Sequence, residues 1–339
     1  MNFQGLGKVE TADKYIDIAF ARANDAANLD REKITDEKLS NPDRSKHIEM
    51  AKVDAIADTL RKHLSHILTA FPNIDDLPEF YQQLVKCTLE YSDLKHALGA
   101  VNWAVKRISD FRRFYMDKIK RTRDFTSING YRKEYYGRVS SVVKKIKKEL
   151  VYLESARKIM REFPQIKTSI PTITICGFPN VGKTTLLYKL TGSKPEISSY
   201  AFTTKSINVA YLEAAIKFKK KKFQLLDTPG TLNRFNKMNN IEKQAFLAVK
   251  YLANMMIYVF DLAESFPLED QKQLFFEMQK FEKPIVVYMS KQDVIDKPIF
   301  DAFIKDFLDK NKIKYYDADG LKKMIIKSDI EANSLEEEN

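Results

Sequence analysis

Cysteine is nearly absent from this 339-residue chain; Cys87 and Cys176 stand far apart, the latter inside an apolar run. Two such thiols form neither a disulfide framework nor a metal site, which points to a reducing compartment. No apolar stretch is long enough to span a bilayer, and the opening residues MNFQGLGKVETADKY carry neither the charged nor the apolar part of a secretion signal. The expected location is the cytoplasm, with no membrane partner. Histidine is scarce, at 4 residues, all in the first half. His63 and His66 stand a helical turn apart, a spacing that suits two solvated or capping imidazoles better than a shared metal. The single tryptophan, Trp103, lies beside a helical apolar stripe and is expected in the core.

What the chain does have is positive charge. The net charge is +11 in a composition that is otherwise ordinary for a globular protein, 44% hydrophobic and 30% charged. Its length suffices for two domains with cores of their own. A basic excess of this size favours an anionic partner, most commonly nucleic acid, although a generally lysine-rich surface has the same arithmetic.

One stretch carries explicit chemistry. Residues 173–176 read as a short buried strand, and Gly177, Phe178, Pro179, Asn180, Val181, Gly182, Lys183, Thr184 and Thr185 follow before leucines at helical spacing. This is G-x-x-x-x-G-K-[ST] between a strand and a helix, the setting in which the motif binds phosphate. The glycines let the backbone turn its amides toward an anion, and the helix points its positive end at the same place. Lys183 supplies a point charge for the β/γ-phosphates, and the Thr184 hydroxyl is a candidate Mg²⁺ ligand.

Upstream of this loop the chain reads as successive helices. Candidates cover 10–28 and 44–70, with a restart at Asn41-Pro42-Asp43 and a break between Pro72 and Pro78. A third, long helix carries Leu94, Leu98, Val101, Val105, Ile108, Tyr115 and Ile119. After a break near residues 127–130, a fourth carries Val139, Val143, Ile146, Leu150, Leu153 and Met160. Four amphipathic helices with short connections predict an antiparallel bundle over 1–166. Its last two helices are rich in cations, among them Arg112, Arg113, Arg121, Arg123, Lys144, Lys145, Lys147 and Lys148, interleaved with Phe111, Phe114, Tyr115, Phe125, Tyr131, Tyr135 and Tyr136. As a helical hairpin they make a footprint suited to structured RNA, with phosphate contacts dominating and aromatics available to stack. The plainer account is a solvated helical face over core aromatics.

Residues 164–171 read as a linker, after which strands and helices alternate. Strands are expected at 173–176, 207–212, 223–227, 256–261, 285–289 and 313–316, and helices at 183–191, 240–252, 268–281, 298–308 and 321–327. The fold class is thus α plus α/β, the bundle being followed over 167–328 by a P-loop domain whose mostly parallel sheet is covered on both faces. Lys219 to Lys222 would form a basic hairpin tip, solvated or touching a phosphate backbone. Residues 329–339 read as a frayed acidic tail. Asp227, Thr228, Pro229 and Gly230 end the third strand, where the carboxylate can hold Mg²⁺ and the Gly230 amide can meet a γ-phosphate. Thr203 and Thr204 precede the second strand, where a threonine ligates Mg²⁺ only while the γ-phosphate is present. Ser290, Lys291 and Asp293 stand where GTPases carry N-K-x-D; Asp293 keeps guanine preference, while Ser290 predicts weaker affinity. Asp317 and Ala318 are candidates for a last guanine-capping loop.

The segments CGFPNVGKTT, SYAFTTKS and DTPG, with LKHALGAVNWAV, the basic hairpin and LVYLESARKIMREFP, closely resemble the nucleolar GTP-binding protein 1 family, among the Obg-related translation-factor GTPases. The resemblance spans roughly residues 10 to 320. It implies a GTPase, using GTP/GDP and Mg²⁺, that acts in assembly of the large ribosomal subunit with its helical domain against rRNA. Lys183, Thr204 and Gly230 take the catalytic roles, with Thr184, Thr204 and Asp227 as Mg²⁺ ligands. Asn180 occupies the position that ligates K⁺ in related enzymes. Thr231 stands where Ras-like enzymes place a water-orienting Gln, which implies slow intrinsic hydrolysis. The short C-terminal end gives the expectation of an archaeal, cytoplasmic member, and a monomer is expected as well. The rival expectation is a GTP-responsive binding module with negligible turnover that recruits a protein through its bundle.

Overall fold

The computed structural model describes residues 3–33, 41–122, 124–192, 196–197, 207–216, 219–228, 240–263 and 266–336. The chain divides into two compact units, one of residues Asn2–Asp76 and Thr88–Phe163, the other of Leu77–Cys87 and Pro164–Asn339. The second unit thus takes a helix from the middle of the first.

The first unit is a bundle of α1 (Ala12–Lys33), α2 (Asn41–Ala70), α4 (Tyr91–Arg121), α5 (Phe125–Lys145) and α6 (Lys147–Arg161). α2 packs on α1, α4 and α5, and α4 packs in turn on α5 and α6. The apolar stripe of α4 is its buried face, from Leu94 and Val101 through Ile108 to Tyr115 and Ile119. Two breaks differ from those read in the sequence. Residues 127–130 lie inside α5, because Asp124 caps that helix by accepting from the Ser127 amide at 2.7 Å and the Thr126 amide at 3.4 Å. The stretch expected as one fourth helix is instead interrupted at Ile146, which is buried with φ −95° and ψ 19°. The amino-terminal segment is stapled to α6, where Glu154 accepts from the Val9 amide at 3.0 Å and from Arg157 Nε and Nη2 at 2.7 Å each. Trp103, expected in the core, is 41% exposed with the Lys145 ammonium 5.1 Å from its ring centroid. His63 lies against Tyr15 with ring centroids 5.6 Å apart, and no cluster of metal-ligating side chains occurs among the described residues.

The second unit begins with α3 (Glu79–Thr88), in which the Tyr81 hydroxyl donates to the Pro164 carbonyl at 2.8 Å and accepts from the Ile166 amide at 3.0 Å. Burial pushes the Tyr81 phenol up to about 12. Gln224 holds the same segment, its Oε1 accepting from the Lys167 amide at 3.0 Å, so residues 164–171 are a pinned strap and not a loose linker. The sheet consists of β1 (Thr172–Cys176), β2 (Glu196–Ile197), β3 (Asn208–Ile216), β4 (Lys219–Asp227), β5 (Ala253–Asp261) and β6 (Ile285–Ser290), in the order β2-β3-β4-β1-β5-β6. β4, β1, β5 and β6 are parallel; β3 is antiparallel to β4, and β2 to β3. The central strands read as continuous apolar runs because both faces are covered. On one face α7 (Lys183–Thr191) and α11 (Ala318–Glu336) close a core of Ile173, Ile175, Leu186, Leu187, Leu225, Ile257 and Leu321. On the other lie α8 (Asn240–Leu252) and α9 (Leu268–Gln279), where Phe260, Phe275, Phe303 and Phe307 stack edge to face or tilted.

Four expectations change. The strand expected at 313–316 is reduced to a single bridge between Val287 and Tyr315. The four lysines are not a hairpin tip but the first residues of β4, with Lys222 opposite Glu213 and paired to it at 3.0 Å. The acidic tail is helical to Glu336, as the last turns of α11. The helix expected at 298–308 is split into α10 (Lys297–Phe303) and a π-helical stretch, Ile304–Asp309. No helix among the described residues is long and apolar enough to cross a membrane.

Candidate functional site

β1 is central in the sheet, and the loop after it opens at the carboxyl end of the parallel strands, where α/β folds place ligands. Gly177 has φ 143°, and a Cβ there would stand 2.7 Å from the Val259 carbonyl oxygen, so only glycine fits. Asn180 and Gly182 are also left-handed, at φ 61° and 92°. Val181 anchors the loop in the core while Asn180 is exposed. Lys183 is only 7% exposed and donates from Nζ to the Phe178 carbonyl at 2.6 Å, folding its ammonium back across the loop. Phe178 rests on Phe266 with ring centroids 5.0 Å apart.

Asp227 ends the neighbouring strand β4, buried to 5% exposure. Its Oδ2 accepts from the Thr184 hydroxyl at 2.6 Å and from Asn208 Nδ2 at 3.0 Å. Burial pushes the Asp227 carboxyl above the ordinary range, against the Thr184 hydrogen bond, the nearby Lys183 charge and the Asn208 amide. The Thr228 hydroxyl donates back to the Ile175 carbonyl at 2.9 Å, tying β4 to β1 beside the loop. Lys183, Thr184 and Asp227 are therefore brought together. Asn208 is a member of the group that motif reading missed; its only signal was its place at the start of the strand that follows the threonine pair.

Ser290 ends β6, 4% exposed, and donates to the Phe260 carbonyl at 3.0 Å. A Cβ at Gly182 would lie 3.4 Å from Ser290 Cβ, so the residue that departs from asparagine packs directly beneath the phosphate loop. Lys291 donates to Asp261 Oδ2 at 2.6 Å, and Asp293 is exposed in the 3₁₀ turn Gln292–Val294. Asp317 accepts from the Gly320 amide at 2.7 Å and so caps α11, while Ala318 packs on the core around α7. Pro229, Gly230 and Thr231, together with Thr203 and Thr204, lie outside the described residues, as does Arg123.

The basic surface of the bundle is more structured than its sequence suggests. Arg113, Arg121, Lys144, Lys145, Lys147 and Lys148 are exposed, but Arg112 is half-buried and bonded through Nε to Asp54 at 2.6 Å. Arg113 and Arg121 pair with Asp110 and Asp117 on their own helix, and Lys147 stands 3.5 Å from Asp13. Of the interleaved aromatics, Phe111, Tyr115 and Tyr135 belong to the core, and only Phe114 and Phe125 are open, at 50% and 53% exposure. Lys118 sits 4.6 Å over the Phe114 ring.

A glycine loop between a central parallel strand and a helix, with a buried lysine and an opposed threonine–aspartate pair, defines a P-loop GTPase domain. Residues 172–291 match the family described as 50S ribosome-binding GTPase, and residues 3–167 match the NOG1 N-terminal helical domain. An uncharacterized protein of Methanocaldococcus jannaschii is 35% identical over 299 residues, which cover 87% of this chain and 82% of that one. Nucleolar GTP-binding protein 1 of Candida glabrata is 35% identical over 251 residues, 73% of this chain and 38% of its own. A crystal structure of Era from Aquifex aeolicus aligns with 47% of this chain and 56% of its own, at 26% identity and a TM-score of 0.36. The chain belongs to the NOG1 family of GTPases. It spans about two fifths of the length of the yeast relatives that it matches, 38% and 41% for two of them.

Proposed function

We propose that this chain binds GTP at residues 177–185, hydrolyses it slowly to GDP, and uses the difference as a conformational switch in assembly of the large ribosomal subunit, its helical unit lying against rRNA. The observation that carries this reading is the combination of a buried Lys183 and a buried Asp227, the latter bonded to the Thr184 hydroxyl, beneath a left-handed glycine loop. A buried carboxylate hydrogen-bonded to a hydroxyl is costly to maintain unless a cation completes it, and oxygen donors of this kind suit Mg²⁺. Thr184 and Asp227 would hold that ion, which supplies positive charge beside the β/γ-phosphates. Lys183 would hold the same phosphates, while the loop amides orient them.

Thr204 and Gly230 would be the parts that sense the γ-phosphate, and Asn180, exposed at the loop's rim, would ligate K⁺. Lys291 and Asp293 would read guanine, and Asp317 and Ala318 would form the last guanine loop. The names of the matched families, one of them a 50S ribosome-binding GTPase, support the ribosomal partner. The exposed lysines and arginines of α4, α5 and α6 support a polyanion on the helical unit. A cytoplasmic monomer fits all of this.

GTP turnover and subunit binding are measured with and without purified large subunits, in KCl and in NaCl at equal ionic strength. The proposal expects slow turnover alone, acceleration by subunits, and faster hydrolysis in KCl. Nucleotide-dependent subunit binding without turnover would favour the recruiting module instead, and equal rates in the two salts would remove the K⁺ assignment.

A further inference from the structure

The base-reading loop has a partner outside its own motif. Asp261 ends β5 with 0% exposure, and it lies opposite Ser290 in the parallel register of β5 and β6. Its Oδ2 accepts from Lys291 Nζ at 2.6 Å and its Oδ1 from the Ala263 amide at 3.0 Å. The backbone of Asp261 is clamped too, since its amide donates to Gln271 Oε1 at 2.9 Å and its carbonyl accepts from Gln271 Nε2 at 2.8 Å. Gln271 is itself fully buried, and its carbonyl accepts from the Tyr258 hydroxyl at 2.7 Å. This carboxylate therefore does not move as a unit separate from the sheet.

A carboxylate taken out of water is tolerated when it is paired and hydrogen-bonded, so the chain maintains Asp261 for the sake of its contacts. One of those contacts reaches the loop. Lys291 has φ 49° and ψ 35°, a left-handed conformation uncommon for a side chain with a Cβ, and the next residues turn to expose Asp293. The ion pair fixes the ammonium end of Lys291, the left-handed backbone fixes its other end, and the Ser290 hydroxyl is held by the adjacent Phe260 carbonyl.

From this geometry we propose that Asp261 is a positioning residue for base recognition. Its buried carboxylate holds Lys291 in place, so that the lysine stem and the Asp293 carboxylate are set before the nucleotide arrives. Such preorganisation raises affinity by removing the ordering cost from the binding step. It also assigns Gln271 and Tyr258 a part in keeping Asp261 still. The proposal rests on the reading that Lys291 and Asp293 meet the guanine base.

The test compares binding of GDP, ADP and inorganic triphosphate by the full chain, as wild type, Asp261→Asn, Lys291→Met and the double variant. Asp261→Asn keeps the shape and removes the charge. GDP affinity should fall on the order of tenfold, as for loss of a charged hydrogen bond. The preference for GDP over ADP should shrink, triphosphate binding should not change, and the double variant should bind GDP no worse than Lys291→Met alone. Additive losses in the double variant, an equal loss for all three ligands, or unchanged GDP affinity would each overturn the proposal. Asp293→Asn separates the two levels: if guanine preference survives that change, the base-reading assignment fails and the role of Asp261 falls with it. If preference is lost there but not in Asp261→Asn, only the positioning role fails.

Discussion

The two units handle charge in opposite ways. In the nucleotide unit the decisive charges are few and withdrawn from water: Lys183, Asp227 and Asp261 are at most 7% exposed and sit at or just beyond the carboxyl ends of parallel strands. In the helical unit the cations are many and exposed, and several spend themselves on acids a helical turn away. Pairs of that kind are worth only a few tenths of a kcal/mol and rearrange readily. Concentrated charge serves one small ligand held in one geometry, because low dielectric strengthens each interaction and makes an unpaired one expensive. Dispersed charge serves an extended polyanion, where each phosphate adds a small, salt-sensitive increment.

If that contrast holds, single substitutions should be severe in one unit and graded in the other. The largest effect is expected from Lys183→Ala, which should lower GTP turnover by about 10²–10³-fold, the scale for loss of one preorganised donor to developing charge. Circular dichroism of the variant should still report a folded helical unit, and loss of the helical signal would show that the units are not independent. Next, glutamate at Arg113, Lys144, Lys145 and Lys148 should weaken rRNA binding stepwise. Removing one cation from a phosphate should flatten the salt dependence of log K by roughly 0.7 to 0.9. An all-or-none loss on a single change would break the contrast. Arg112 is a poor choice for this series, because its bond to Asp54 makes reversal there a structural change.

The smallest expected effect lies at one of the few withdrawn pairs of the helical unit, which include Glu49–Lys52: the Glu154–Arg157 pair that holds the amino-terminal segment. Hydrogen bonds from Arg157 hold the Glu154 carboxyl below its ordinary range, helped by the Val9 amide. A depressed folded pKa contributes stability above the unfolded value of about 4.3 and loses it as pH falls through the folded value. Glu154→Gln should therefore cost about 1–2 kcal/mol at neutral pH, read from denaturant unfolding, with the gap to wild type closing in acid. A gap that persists unchanged to low pH would place the cost in packing instead.

Local signals in the sequence were reliable where one residue type satisfies one backbone demand. Gly177 and Gly182 announce left-handed turns, and the apolar run before them announces a buried strand. The stripe from Leu94 to Ile119 was equally legible, since its spacing is the helical repeat itself. What escaped were facts that depend on a partner distant in sequence. Trp103 shares the stripe's neighbourhood but faces outward, and the aromatics at 111, 115 and 135 turn inward although they alternate with cations. The lysines at 219–222 read as a loop because strand propensity is weak for lysine, yet pairing with β3 overrides it. Leu77–Cys87 falls inside the 1–166 stretch expected as the bundle, but Tyr81 bonds to Pro164 and Ile166 and its compact unit is the other one.

The sequence by itself therefore determined the class of the nucleotide loop, the helical character of the first half and the sign of its surface charge. These follow from short-range sterics, periodicity and composition. Tertiary structure alone decided that Asn208 shares the Asp227 carboxylate with Thr184, that Ser290 lies under Gly182, and that a buried Asp261 grips Lys291. Lys291 meets Asp261 where the parallel strands β5 and β6 end side by side, Asn208 reaches Asp227 across the antiparallel pair β3–β4, and Gly182 meets Ser290 from the loop after β1. Strand pairing and the loops it aligns create such neighbours, and burial gives their charges consequence.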